Sequence, residues 1–283
     1  MSQTYKFIKT NGEQYETIYH KYQEYFDDFY DYEISITNHV GTKSHDGRPS
    51  SYRIFAVKSL YLYQEKFGTI PATLTDMNFI DRLLSILDDD EFIALNQEHH
   101  RFYQASIKEF IRYLISRDDS LAVIFNNPKF LKKEKNHHTQ KLVDDYVKKL
   151  QDVRPIRKRK PKYIGKSAKY PRDSFAKEYT KKIANYTCEY DPSHTTFISE
   201  NDGNQYMEAH HLIPMSAQDR FEHSIDFPDN MISLCPTCHR RIHLAKKIDR
   251  IQMIKHFYNL RKDRYAKHGI DINLKELLNF YEK

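Results

Sequence analysis

The chain has 283 residues, with 45 Lys+Arg against 39 Asp+Glu and a net charge of +6 at pH 7, a size that suits about two domains. No run approaches the roughly 18 to 20 apolar residues of a spanning helix, and Met1 to Gln14 lacks the apolar core of a secretory signal. A cytoplasmic protein that engages no membrane is expected. With 39% hydrophobic residues, 22 Tyr and 17 Phe among the total, the chain has material for packed cores, which excludes wholesale disorder.

The N-terminal part reads as helical. Tyr52, Phe55, Ala56, Leu60 and Tyr63 recur at helical spacing after Ser50 and Ser51. Phe79, Ile80, Leu83, Leu84 and Leu87 repeat the pattern behind the capping candidates Thr75 and Asp76, and Tyr103, Ile107, Phe110, Ile111 and Leu114 form a third stripe. These stripes are core rather than function. The acidic run Asp88 to Glu91 reads as a solvated helix end, and the pairs His99–His100 and His137–His138 have no partners at metal-ligand spacing.

Charge divides the chain. Residues 1–128 carry 13 basic and 19 acidic side chains, 129–182 carry 19 and 6, and 183–283 carry 13 and 14. Val153 to Arg172 holds nine Lys or Arg and no acid, with Pro155, Pro161 and Pro171 interrupting any helix. The expectation is a helical target-recognition or regulatory domain over 1–128, a basic linker over 129–173, and a third unit over 174–283. A polyanion is the natural partner of Arg157, Lys158, Arg159, Lys160 and Lys162, with a merely solvated tether as the alternative.

The third unit opens with a helix over about Ser174 to Ala184 and closes with helices over about Asp249 to Lys267 and Leu274 to Tyr281. Between them lie CEYDPSH at 188–194, YMEAHHLIP at 206–214 and DNMISLCPTCHRRIH at 229–243. Met207 to Ile213 alternates as a strand does, Met231 to Leu234 is a second short apolar run, and Thr237 to Ala245 reads as a helix. On that helix His239 and His243 are four apart, so both imidazoles project from one face and can share a cation.

Three cysteines without an export signal cannot make a disulfide framework, and Cys235 and Cys238 have metal-knuckle spacing. With Cys188 as a third thiolate and His194 as the best fourth ligand they would form a closed tetrahedral Zn²⁺ site that staples the region. A second, all-nitrogen group is His210, His239 and His243, with His211 beside it. Three imidazoles leave coordination positions open for phosphate oxygens, as metal-assisted hydrolysis requires.

The ordered set of His210–His211, Asn230 and C-x2-C-H-x3-H resembles the HNH endonuclease family in its zinc-stapled ββα-metal form, and most of all its bacterial restriction-type members. The resemblance covers roughly residues 174 to 245. It implies hydrolysis of a phosphodiester bond in double-stranded DNA, with His211 as the general base that deprotonates the attacking water. It further implies His210 and His243 as ligands of the catalytic cation, Mg²⁺ or another divalent ion, with His239 a ligand as in members that carry H-x3-H on the helix. Asn230 matches the middle residue, which in different members holds the loop and base or contacts the metal. Many zinc-stapled members use two C-x2-C pairs, whereas here the first is replaced by Cys188 and His194, with Asp191 and His223 as weaker substitutes. Arg220 and His223 in the following loop are phosphate-contact candidates.

The fold expected is mainly α with a small α+β unit: a helical N-terminal domain and a C-terminal ββα-metal domain with structural zinc. The function expected is a restriction or defence endonuclease, working as a homodimer because one such unit cuts one strand. The alternatives are a zinc-containing nucleic-acid-binding module without catalysis and an RNase of the same family, since backbone electrostatics do not tell DNA from RNA.

Overall fold

The computed structural model describes residues 5, 8–37, 47–127, 130–131, 137–165 and 167–282. It is mainly α with two small two-stranded sheets. Part of the opening polar stretch, residues 1–4 and 6–7, lies outside the described residues, as do 128–129 and 132–136 where the sequence puts the start of the linker. Among the described residues no helix is long and apolar enough to cross a membrane.

The N-terminal helices are α1 (Glu13–Lys21), α2 (Gln23–Thr37), α3 (Arg48–Phe67), α4 (Met77–Ser85), α5 (Asp90–Glu98), α6 (Phe102–Arg117) and α7 (Asp119–Asn126). Short acidic side chains start three of them. Asp76 accepts the Phe79 N–H at 2.9 Å, Asp89 those of Glu91 and Phe92, and Asp118 that of Leu121. The acidic run at 88–91 therefore supplies a helix cap, and Asp89 also receives Lys66 at 2.6 Å. The stripes around Leu60, Leu83 and Phe110 all face one core, in which α6 is enclosed by α2 and α3. Aromatic contacts knit its centre, with Phe29 and Phe110 edge to face at 5.1 Å. His99 packs against the Tyr103 ring at 5.4 Å, and His100 lies in the left-handed turn before α6, so that pair is structural.

The segment 129–173 differs from the expected linker. Residues His137–Gln151 form α8, whose Leu142, Val143 and Tyr146 are buried in the N-terminal core. The apolar face of this helix is interleaved with lysines, so composition conceals it. Within it His138 is buried and lies 3.3 Å from Asp88, while the side chain of His137 lies outside the described residues. Beyond α8 the chain forms a hairpin of β1 (Lys162–Ile164) and β2 (Ser167–Lys169), with Gly165 turning at a positive φ. Lys160 pairs with Asp31 at 2.9 Å, Lys162 with Asp28 at 2.5 Å, and the Arg159 guanidinium sits over the Tyr32 ring at 5.7 Å. The acidic face of α2 thus pairs with two of the nine cations, Lys160 and Lys162, in a run that the sequence alone presents as free charge.

The third unit comprises α9 (Ser174–Ile183), β3 (Glu208–His211), β4 (Met231–Leu234), α10 (Pro236–Leu244), α11 (Lys247–Tyr265) and α12 (Leu274–Asn279). Strand β3 pairs antiparallel with β4 in the register Glu208↔Leu234 to His211↔Met231. All four β4 residues are buried. Helix α9 joins the two halves: Asp173 caps it by accepting the Ala176 N–H at 3.0 Å, Phe175 stacks on Tyr146 at 4.2 Å, and Thr180 contacts Met231 of β4. At the other side Met253, Ile254 and Phe257 of α11 enter the second core, and Asp229 ties the β4 entry to this region through Arg264 at 2.7 Å and His268 at 3.1 Å. The His268 hydrogen bond, ahead of the Arg264 contact, outweighs burial and holds the Asp229 carboxyl down at about 2.

Phe175 is fully buried within the N-terminal core while its helix carries the sheet of the third unit. Phe175→Ala is expected to cost roughly 3–5 kcal/mol in urea unfolding, the usual range for deleting a buried aromatic side chain.

Candidate metal centres

Two groups of ligand atoms converge in the third unit. In the first, Cys188, His194, Cys235 and Cys238 bring one ligand atom each to within 4.8 Å of one another. Cys235 follows β4 directly, and its sulfur accepts the Cys238 N–H at 3.4 Å, the knuckle that opens α10, with Pro236 supplying a preset first helical residue. Cys188 arrives on a segment held to β4 by Glu189, whose N–H donates to the Ser233 carbonyl at 2.8 Å and whose carboxylate accepts the Ser233 N–H at 2.6 Å.

His194 completes the set through Nδ1, 3.5 Å from Cys235 Sγ and 3.4 Å from Cys238 Sγ. With Zn–S near 2.3 Å and Zn–N near 2.0–2.1 Å, a sulfur-to-nitrogen tetrahedron edge is about 3.5 Å, so the donors already stand at zinc spacing. The other ring nitrogen, Nε2, lies 3.3 Å from Asp191 Oδ2. A carboxylate there accepts the Nε2 proton and leaves the Nδ1 lone pair facing the thiols. Asp191 therefore stands behind the ligand, and His223 is engaged elsewhere, with Nδ1 3.2 Å from the Gly269 carbonyl. Burial raises the Cys188 thiol, but the N–H groups of Cys235, Asp191 and Tyr190 outweigh it and bring it down to about 7. Burial and the neighbouring sulfurs push Cys238 up. Cys188 and Cys238 are thus pushed in opposite directions, and a cation among the sulfurs would let both ionise.

The second group is His210, His239 and His243, also within 4.8 Å of one another. Successive residues of β3 face opposite sides. His210 packs on α10, its ring 5.1 Å from that of His239 and 4.8 Å from that of His243, whereas His211 turns to Asp226 at 2.8 Å. His210 is buried, His239 half-buried and His243 exposed, so the cluster opens to solvent on one side. Burial first, then the imidazoles of His243, His239 and His211, hold His210 well below the ordinary histidine range. A neutral imidazole is the form that binds metal.

Hydrogen bonds behind the rings aim them. Tyr281 donates its hydroxyl proton to the Leu212 carbonyl at 2.7 Å, and so accepts at 2.9 Å from His210 Nε2, leaving His210 Nδ1 as the free donor atom. His239 Nδ1 bonds to Glu208, which leaves its Nε2 for a ligand. Nothing in local spacing marks Tyr281, Glu208 or Asp226. Each meets its histidine across 15 to 71 residues of chain.

The Asn230 amide is spent on the main chain and the Tyr265 hydroxyl. Fully buried, it accepts the Ile213 N–H at 2.8 Å and donates to the Ile213 and Ile225 carbonyls at 3.0 and 2.7 Å. Its amide thereby ties the segment after β3 to the loop before β4. Of the expected phosphate contacts, Lys160 and Lys162 pair with α2, Lys158 reaches the Asp219 carbonyl at 3.5 Å, and Arg157 is exposed, its main chain paired with that of His223. Arg220 is exposed, its guanidinium 5.4 Å from the Phe280 ring centre.

Comparison with known proteins bears on this arrangement. Residues 197–244 match the HNH endonuclease family, a stretch that contains both strands, α10, all three histidines of the open cluster and two of the three cysteines. The chain is also 37% identical over 93 residues to the Type IV methyl-directed restriction enzyme EcoKMcrA of Escherichia coli (strain K12), a match covering 32% of this chain and 31% of that protein. The chain thus spans about a third of the length of the curated relative it matches. It carries a segment that matches the HNH endonuclease family and is similar to part of a restriction enzyme.

If Asp191 orients His194, Asp191→Asn should weaken metal retention by roughly 10–100-fold in a competition with a chromophoric chelator, the range for removing a carboxylate behind a ligating histidine. Cys235→Ser should abolish retention there and melt the C-terminal unit, read by circular dichroism.

Proposed function

We propose that this chain is a metal-dependent HNH endonuclease that hydrolyses phosphodiester bonds in double-stranded DNA as part of restriction or defence. The observation that carries the reading is the three-histidine cluster, open to solvent on one side, with His211 next to it on β3 and held by a carboxylate. A closed structural site has no use for that opening, and a binding module has no use for the second histidine.

In this reading Cys188, His194, Cys235 and Cys238 hold Zn²⁺, while His210, His239 and His243 hold Mg²⁺ or another divalent cation. A cation bound there would polarise the scissile phosphate and offset the charge that builds on it and on the leaving 3′ oxygen. His211 acts as general base: its Nε2 proton is committed to Asp226, so Nδ1 carries the lone pair that takes a proton from water. Asn230 holds the loop, which keeps β3 and β4 in register beneath the histidines. Arg157 and Arg220 are the exposed cations of the expected set left to meet phosphates.

The similarity to an enzyme named methyl-directed supports a target choice that depends on base modification, a task assigned here to the N-terminal helices. One such unit cuts one strand, so a double-strand break calls for a homodimer. A cytoplasmic location follows from the restriction role.

The test is cleavage of unmodified and methylated plasmid DNA, with an RNA substrate alongside, in Mg²⁺ or Mn²⁺. Wild type should cut DNA, and His211→Ala should lose about 10²–10⁴-fold in rate, the usual worth of a general base, with DNA binding unchanged. Equal cutting by both would remove His211 from the chemistry. Cutting of RNA alone would reassign the substrate, and cutting of neither would leave a binding module.

A further inference from the structure

His211 is braced from a direction the motif does not reveal. Its Nε2 lies 2.8 Å from Asp226 Oδ1, and the second oxygen of that carboxylate, Oδ2, accepts the main-chain N–H of Asp173 at 2.6 Å. Asp173 is the cap of α9, and its own carboxylate accepts the Ala176 N–H at 3.0 Å and the Tyr146 hydroxyl of α8 at 2.8 Å. A continuous path therefore runs from the helical core through Tyr146, Asp173 and Asp226 to His211. The side chains of His211 and Asp226 are only 10% and 9% exposed, so little water competes for these bonds.

The loop bearing Asp226 is rigid for identifiable reasons. The buried amide of Gln218 accepts the Ile225 N–H at 2.9 Å and donates to the His223 carbonyl at 2.8 Å, while Asn230 donates to the Ile225 carbonyl. With residue 225 pinned on both its polar groups, the Asp226 carboxylate has one seat. One oxygen faces the helical half of the chain, the other the imidazole.

We propose that Asp226 is the positioning residue of His211, and that the helical half of the chain holds it in place through the Asp173 main-chain N–H. This rests on the reading of His211 as general base. A carboxylate only accepts, so it requires the proton on His211 Nε2 and leaves Nδ1 basic. An asparagine at 226 has one acceptor for two donors. With its oxygen kept on the Asp173 N–H, its NH₂ faces His211 Nε2, the ring proton must move to Nδ1, and the base loses its lone pair.

The experiment combines kinetics with the nitrogen-15 NMR tautomer signature of His211, assigned by its disappearance in His211→Ala. In the wild type the Nε2–H form is expected. Asp226→Asn should switch it to Nδ1–H and cut kcat for plasmid cleavage by roughly 100-fold or more, as wrong-tautomer variants of other His–Asp pairs do. KM and retained metal should stay as in the wild type, which a merely structural role would not spare. Asp226→Ala, which removes the constraint without imposing the wrong tautomer, should show a mixture of both forms and an intermediate kcat. An Nδ1–H form in the wild type, or an Asp226→Asn protein with unchanged tautomer and kcat, would overturn the proposal. A wild type that is Nε2–H, switches on substitution and yet cuts no nucleic acid would instead sink the nuclease reading while the positioning contact stands.

Discussion

The pairing of Glu208–His211 with Met231–Leu234 is the constraint on which the rest of the third unit depends. Two strands of four residues are not stable alone in water. Here the pair is held by its neighbours: β4 is wholly buried, α9 packs against both strands, α11 shares its core, and cysteines anchor both its exit and the segment beside it. A slip of one residue would exchange His210 and His211, sending the proposed general base into the histidine cluster and His210 toward Asp226. The Asn230 amide and the Glu189–Ser233 pair guard against that slip, because each fixes a main-chain group adjacent to the sheet.

From this one pairing the chain derives two sites of opposite character. The cysteine group is sulfur-rich with all three sulfurs buried, its S···N distances match a tetrahedral zinc edge, and its histidine is backed by a carboxylate. Such a group suits a cation that stays and replaces core. The histidine group shares α10 with it but opens outward at His243, with His210 aimed by Tyr281 and His239 by Glu208. With Cys238 and His239 next to each other on one helix, a metal held by the cysteine group would also set the direction of the histidine group.

Much of this was legible in the sequence because it is written in local spacing. The i, i+4 relation of His239 and His243, the knuckle at Cys235 and Cys238, the strand at 231–234 and the three apolar stripes of the N-terminal half are all short-range patterns. Three features went unread. The stripe Leu142, Val143, Tyr146, Val147 and Leu150 stands at helical spacing, but the lysine excess around it makes 129–173 read as linker. The basic run looks free until α2 supplies Asp28 and Asp31, contacts made across more than a hundred residues. Asp226 and Tyr281 reach their histidines only after the chain has folded back, and a lone Asp or Tyr has no periodicity to announce it.

Whether one ββα unit carries two chemically distinct metal sites is read directly by visible absorption as Co²⁺ is titrated into metal-free protein. The first equivalent should develop tetrahedral bands with thiolate charge transfer. A second equivalent should then bind without further thiolate absorption and be lost in His210→Ala. Saturation at one equivalent, or thiolate absorption that grows through both, would contradict the two-site reading.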